Sequence, residues 1–314
     1  MMSGPANPAL AVCGLSRRFG PVEAVRDISF DVAREEIFGL VGPDGAGKTT
    51  IMRMLAGVLR PDAGAIRLDG VDVVAAPERA KLRLSYMPQR FGLYEDLTVQ
   101  ENIFFYGELF GVARQERRER GRRLLAAAGL RAFEGRLAGQ LSGGMKQKLG
   151  LVCALIHTPR VLLLDEPTTG VDPVSRREFW SILYDLRETG VTILLSTAYM
   201  EEAERCTRLA LIDRGRIRSS DTPARLKRAM PGALLAVAAA DPRAARDALA
   251  GAPGVEGLLL MGDRVHVRVD AAARRAPELQ ARLAERGFAD AAIDVIEPGI
   301  EDVFVALLGE DASK

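Results

Sequence analysis

The chain has 314 residues, 48% hydrophobic and 27% charged, and its 43 Lys and Arg against 42 Asp and Glu leave a formal net charge of +1. That length has room for two domains, and the missing basic excess argues against a nucleic-acid partner. Three widely spaced cysteines, Cys13, Cys153 and Cys206, read as reduced, small apolar residues, and two histidines, His157 and His266, cannot build a His-rich metal site. Met1 to Leu10 lacks a basic segment followed by a long apolar one, so no signal peptide is expected there. The longest apolar stretches, such as Ala233–Ala240, fall far short of the roughly 18 residues of a membrane span. Any membrane association is expected through a partner.

From about residue 9 to 90, short apolar runs alternate with turns. Ile28-Ser29-Phe30-Asp31-Val32 is one run, and Ala65-Ile66-Arg67-Leu68 before Asp69-Gly70 is another. This predicts strands with one helix. Within it, Ile37-Phe38-Gly39-Leu40-Val41 leads into Gly42-Pro43-Asp44-Gly45-Ala46-Gly47-Lys48-Thr49, and Thr50-Ile51-Met52-Arg53-Met54-Leu55 follows. G-x-x-x-x-G-K-T between a strand and a helix is a phosphate-binding loop. Its glycines let backbone amides approach a phosphate with no Cβ in the way, and the helix N-terminus adds its positive end. Lys48 is expected to reach the β- and γ-phosphates, and the Thr49 hydroxyl to ligate Mg²⁺.

From about 98 to 157 the pattern turns helical. Thr98 and Glu101 form a Thr-x-x-Glu capping box. Arg114–Arg123 mixes both signs of charge and reads as a solvated helix face. Phe104, Phe105, Tyr106 and Phe110 sit at helical spacing and are expected in the core, although a groove for a partner helix would use the same residues. Leu141-Ser142-Gly143-Gly144-Met145-Lys146-Gln147 opens a helix and offers a second anion-binding N-terminus.

Strand–loop–helix rhythm returns at 161. Val161–Leu164 and Val191–Leu195 are continuous apolar runs, as in buried parallel strands. The first delivers Asp165 to a Mg²⁺ shell and Glu166 beside a γ-phosphate, where a general base polarises water. Leu209–Ile212 and Ile217 predict a hairpin around Arg214-Gly215. Beyond about 225, strand 233–239, helix 241–250, strands 255–261 and 264–269, helix 276–286, strand 291–297 and helix 300–308 are expected. Their order, β-α-β-β-α-β, is that of a ferredoxin-like unit.

LSGGMKQK (141–148) and DEPTTGVDP (165–173), together with the phosphate loop, resemble the motifs of the nucleotide-binding subunits of ATP-binding cassette (ABC) transporters. The resemblance covers about residues 9 to 220. It implies an α/β P-loop cassette with a mostly parallel core sheet, an antiparallel β subdomain and a helical subdomain at about 90–160. The cassette would occupy residues 1–225 and a small α+β accessory domain 226–314. ATP and Mg²⁺ are the implied ligands, with Gly42, Asp44, Gly45, Ala46, Gly47, Lys48, Thr49 and Thr50 around the phosphates. The resemblance places Thr49, Gln89 and Asp165 at the metal, Glu166 as base, and Phe19 under the adenine. It also implies that two cassettes stack head to tail. Ser142, Gly143 and Gly144 would then cover the nucleotide of the opposite chain, and Asp172 would lie at the seam.

Thr-Thr-Gly-Val-Asp-Pro, Tyr199-Met200-Glu201-Glu202-Ala203-Glu204 and Glu297-Pro298-Gly299-Ile300-Glu301-Asp302-Val303-Phe304 resemble bacterial ABC-2-type exporters, including drug-efflux ATPases and the first half of tandem-cassette ones. A separate membrane permease and a peripheral position at the cytoplasmic face of the inner membrane are thereby implied. One departure stands out. The family has histidine where this chain reads Ser196-Thr197-Ala198-Tyr199-Met200. Alanine cannot hydrogen-bond to the γ-phosphate or to water. A poorly hydrolysing, regulatory cassette is therefore the alternative to an export ATPase.

Overall fold

The computed structural model describes residues 7–312; part of the Met1–Leu10 reading lies outside them. Two units divide between Ser220 and Asp221.

In the first unit, β1 (Leu10–Phe19) and β2 (Val22–Val32) run antiparallel, with Leu10 opposite Val32. β3 (Ile37–Val41) is buried along its whole length and feeds the phosphate loop and α1 (Lys48–Leu55). β4 (Ala63–Leu68), β5 (Val71–Asp72), α2 (Pro77–Lys81) and β6 (Leu84–Met87) follow. Next come three helices, α3 (Val99–Leu109), α4 (Arg114–Ala127) and α5 (Gly143–Leu155). The unit closes with β7 (Val161–Asp165), α6 (Pro173–Glu188), β8 (Thr192–Thr197), α7 (Met200–Ala203), β9 (Arg208–Asp213) and β10 (Arg216–Asp221).

The core sheet has the order β10-β9-β3-β8-β7-β6, and β3 pairs in parallel with both β8 and β9. β7 lies in parallel between β8 and β6. One side of its apolar strands is covered by α1 and the second sheet, β2-β1-β4-β5. Ile51, Met52, Met54 and Leu55 of α1 bury into that core with Leu10, Ile28, Leu40 and Leu163. Arg214 and Gly215 both take left-handed φ at the β9–β10 turn, the conformation of a type I′ hairpin. This turn braces the phosphate loop, since Gly215 N donates to Ala46 O at 3.0 Å.

α3 carries the full capping box, with Thr98 Oγ1 accepting from Glu101 N and Thr98 N donating to Glu101. Two expectations for the helical region need correction. Phe104, Tyr106 and Phe110 are only half-buried and Phe105 is exposed. Tyr106 and Phe110 line an apolar groove of about 220 Å³ with Phe91, Leu109 and Cys153, and Leu109 is 67% exposed. The α4 arginines are not uniformly solvated either. Arg117 and Arg120 fold inward to the carbonyls of Phe104 and Ile156, burying their stems.

The second unit opens with α8 (Pro223–Ala229), whose N-cap Thr222 accepts from Arg225 N. β11 (Ala233–Ala238), α9 (Pro242–Leu249), β12 (Val255–Met261), β13 (Arg264–Val269), α10 (Ala272–Glu285), β14 (Ala292–Ile296) and α11 (Ile300–Ala312) complete it. The antiparallel sheet β12-β13-β11-β14 packs Leu235, Val237, Val265 and Val267 against Leu249, Leu279 and Leu283. Because α8 packs on α11, the unit begins before residue 226. α10 starts four residues ahead of the expected 276. Pro277 therefore lies inside the helix, and Arg275 secures the extra first turn by paired bonds to both Asp270 oxygens at 2.8 Å.

Candidate functional site

Strand β3 ends where its sheet neighbours also end, so the loop Gly42–Gly47 sits at the carboxyl edge of the parallel sheet. Close approach explains the glycines. A Cβ on Gly42 would lie 2.1 Å from Ile212 O, and one on Gly47, whose φ is 102°, would lie 2.5 Å from Ala24 O. Gly45 also takes left-handed φ. The loop encloses a cleft of about 600 Å³ lined by Asp44, Gly45, Gly47, Lys48, Thr49 and Thr50 on one side. Gln89, Glu166, Thr169, Ala198 and Tyr199 line the other. Gly42 and buried Ala46 support the loop from behind.

Lys48 is buried apart from its cleft face. Its Nζ donates to Gly42 O at 2.7 Å and Pro43 O at 3.0 Å, and pairs with Glu166 Oε1 at 3.1 Å. The other Glu166 oxygen accepts from Gln89 Nε2 at 3.1 Å. Glu166 takes φ of 48°, an uncommon conformation for a non-glycine, and its N–H donates to Ser196 O and Oγ. The strained backbone turns its carboxyl away from the sheet toward the cleft. Beneath it, buried Asp165 accepts from Thr49 Oγ1 at 3.1 Å, Ser196 Oγ at 2.6 Å and Tyr86 OH at 3.2 Å. Burial, and next the charge of Asp165, push the Tyr86 phenol up, which keeps it a donor.

Tyr86 and Ser196 were absent from the residues expected on sequence grounds. Their signal is the strand order: Asp165 stands beside Ser196, and Leu163 beside Tyr86, in parallel register. No linear motif shows that.

Other expected residues lie elsewhere. Phe19 ends β1, is 46% exposed, does not line the cleft, and carries the Arg17 guanidinium 5.0 Å from its ring centroid. Ser142 caps α5 by accepting from Met145 N, and Asp172 caps α6 by accepting from Val174 N and Ser175 N. The Ser175 amide holds the Asp172 carboxyl below the ordinary carboxylate range. A Cβ on Gly144 would lie 2.5 Å from Ser175 Cβ, so glycine lets these two helix starts meet. Ser142, Gly143, Gly144 and Asp172 do not line the cleft of their own chain.

The donor set suits a nucleotide and a hard divalent cation. A glycine cradle with no room for Cβ atoms suits phosphate, and a hydroxyl beside a carboxyl group suits Mg²⁺. Among the described residues, no helix is long and apolar enough to cross a membrane.

A family model described as ABC transporter matches residues 25–169. The chain is 48% identical over 221 residues to the probable multidrug ABC transporter ATP-binding protein YbhF of Escherichia coli (strain K12). That match covers 70% of this chain but spans only 38% of the relative's length. It is 40% identical over 299 residues to Nod factor export ATP-binding protein I of Paraburkholderia xenovorans (strain LB400), covering 95% of this chain and 96% of that one. Among solved structures, an ATP-binding subunit of an ABC transporter superposes with a TM-score of 0.64 at 31% identity, over 70% of this chain and 92% of that one. Another, cbiO1 from Clostridium perfringens, shares the fold with a TM-score of 0.66 at 23% identity, over 71% of this chain and 92% of that one.

Proposed function

The chain belongs to the ATP-binding proteins of ABC transporters, and on that premise we propose that it is the ATP-hydrolysing subunit of an ABC-2-type export system with a separate permease. The observation that carries this reading is the convergence of Lys48, Thr49, Gln89 and Glu166 on one cleft, with Asp165 directly behind.

Bound there, ATP with Mg²⁺ supplies the γ-phosphoryl centre and an ion that spreads its charge. The amides of Gly45 to Thr49 bind phosphate oxygens, aided by the N-terminus of α1. Lys48 exchanges its present carbonyl and Glu166 partners for those oxygens. Thr49 and Asp165 would hold the cation, with Asp165 oriented by Ser196 and Tyr86. Gln89, now donating to Glu166, would contact the cation, and Glu166, freed from Lys48, would accept a proton from water at a carboxylate oxygen. Phe19, exposed outside this cleft, would stack on an adenine reaching beyond it once the Arg17 guanidinium leaves its ring.

Ser142, Gly143, Gly144 and Asp172 serve the nucleotide of a second cassette, as a homodimer or heterodimer; their absence from their own cleft supports that role. The apolar groove with exposed Leu109 suits a helix of the permease, lying next to the Gln89 segment through Phe91. On this reading the chain sits peripherally at the cytoplasmic face of the inner membrane. The relatives named above are described as transport or export proteins, which favours export over the regulatory alternative.

Glu166→Gln tests the arrangement, because it keeps shape and hydrogen bonding while removing the base. The variant traps an ATP-dependent closed dimer in size-exclusion chromatography, with the permease or second cassette supplied in parallel runs. A profile that stays monomeric with ATP in every run sinks the proposal.

A further inference from the structure

Glu202 is 1% exposed, lies on α7, and does not line the nucleotide cleft. Its carboxyl group accepts three hydrogen bonds, none from a basic side chain. Oε1 receives Thr168 Oγ1 at 2.5 Å and Trp180 Nε1 at 3.0 Å, and Oε2 receives Thr197 Oγ1 at 2.6 Å. Each donor comes from a different segment. Thr168 lies two residues past Glu166, Thr197 directly precedes Ala198, and Trp180 belongs to α6, the helix capped by Asp172. Thr197 Oγ1 also accepts from Tyr199 N at 3.0 Å, which continues the chain of bonds into the cleft wall.

Burying a carboxyl group without a counter-ion is unfavourable, and an apolar residue would pack this space at lower cost. Hydrogen bonds linked through one buried acceptor reinforce one another and fix the relative placement of their donors. We infer that Glu202 is a positioning residue that ties the Glu166-Thr169 loop, the Ala198-Tyr199 wall and α6 into one unit at the γ-phosphate side of the cleft. This rests on the ATPase reading above. With no histidine at 198 to bridge to the phosphate, the wall depends on this buried anchor for its placement. Trp180, the single tryptophan of the chain, reports on the anchor directly because its indole N–H is one of the three donors.

The test uses the full chain and ATP–Mg²⁺. Trp180 emission and steady-state turnover are compared for the wild type, Glu202→Gln, Thr168→Val and Thr168→Ser. The wild-type emission shifts on nucleotide addition. Glu202→Gln and Thr168→Val bind ATP with near wild-type affinity in calorimetry, lose most of the emission response, and drop about tenfold in kcat with KM little changed. Thr168→Ser, which restores the hydroxyl, recovers both. Should Glu202→Gln fail to fold, the Thr168 pair decides alone. Wild-type kcat and emission response in Thr168→Val overturn the inference while leaving the ATPase reading standing. A wild-type chain that binds no ATP in calorimetry overturns that reading and this inference with it.

Discussion

Ala198 lines the cleft with Thr169 and Tyr199, where a histidine would project toward the γ-phosphate side. A methyl group there offers no hydrogen bond to a developing charge. Losing one such preorganised donor lowers turnover by on the order of 10²-fold in comparable sites. Slow turnover is therefore the expected outcome for the site built on this chain's Lys48, and Ala198→His is predicted to accelerate steady-state hydrolysis by about tenfold or more with a smaller effect on affinity. Fast turnover in the natural chain, unchanged by the substitution, would mean that another cleft residue does the histidine's work. At this scale the motif residues were legible in the sequence because their chemistry is local: Lys48 and Thr49 follow a glycine loop, and Asp165-Glu166 end an apolar run. Tyr86, Ser196 and Glu202 were not. Each acts across strands or helices that only the folded register brings together.

Elements are held by fewer, stronger contacts than their number suggests. Asp69, in the β4–β5 turn, gathers Arg34, Arg83 and Arg160 from the segments preceding β3, β6 and β7. It thereby pins the antiparallel sheet to the amino edge of the core sheet, opposite the cleft. Burial pushes its carboxyl up, but the Arg34 hydrogen bond and the three guanidinium charges outweigh this and hold it below 3.8. A depressed folded value means stability that is present above the unfolded value and lost as pH falls through the folded one. Asp69→Asn tolerates the left-handed φ of 47° yet removes the charge. Its cost is about 2 kcal/mol at pH 7 in urea melts, discounted for the exposed arginines. The gap between variant and wild type narrows only below about pH 4; a gap that is absent at pH 7, or constant to pH 3, contradicts this role. Element identity was read well where the pattern is strong, as in the apolar runs Val161–Leu164 of β7 and Ile193–Leu195 of β8 and in the Thr98 capping box. It was read poorly where context decides. The aromatics of α3 have core-like spacing, but too little structure lies above Leu109 to bury them.

At the scale of the whole molecule, the second unit brings its own core of Leu235, Val265, Leu279 and Leu283, and none of its described residues lines the cleft. A chain ending at Asp221 keeps ATP affinity within about threefold, as expected for independent units, while assembly or export weakens. A well-folded truncation with a large loss of affinity would contradict that division of labour. The expectations for binding and turnover depend on ATP occupying the cleft around Lys48, and calorimetric titration of ATP–Mg²⁺ into the wild type and Lys48→Ala tests that occupancy most directly. Saturable binding in the wild type, weakened at least about 100-fold without the ammonium, is the predicted result. Equal affinity in the two proteins would contradict the assignment of the cleft.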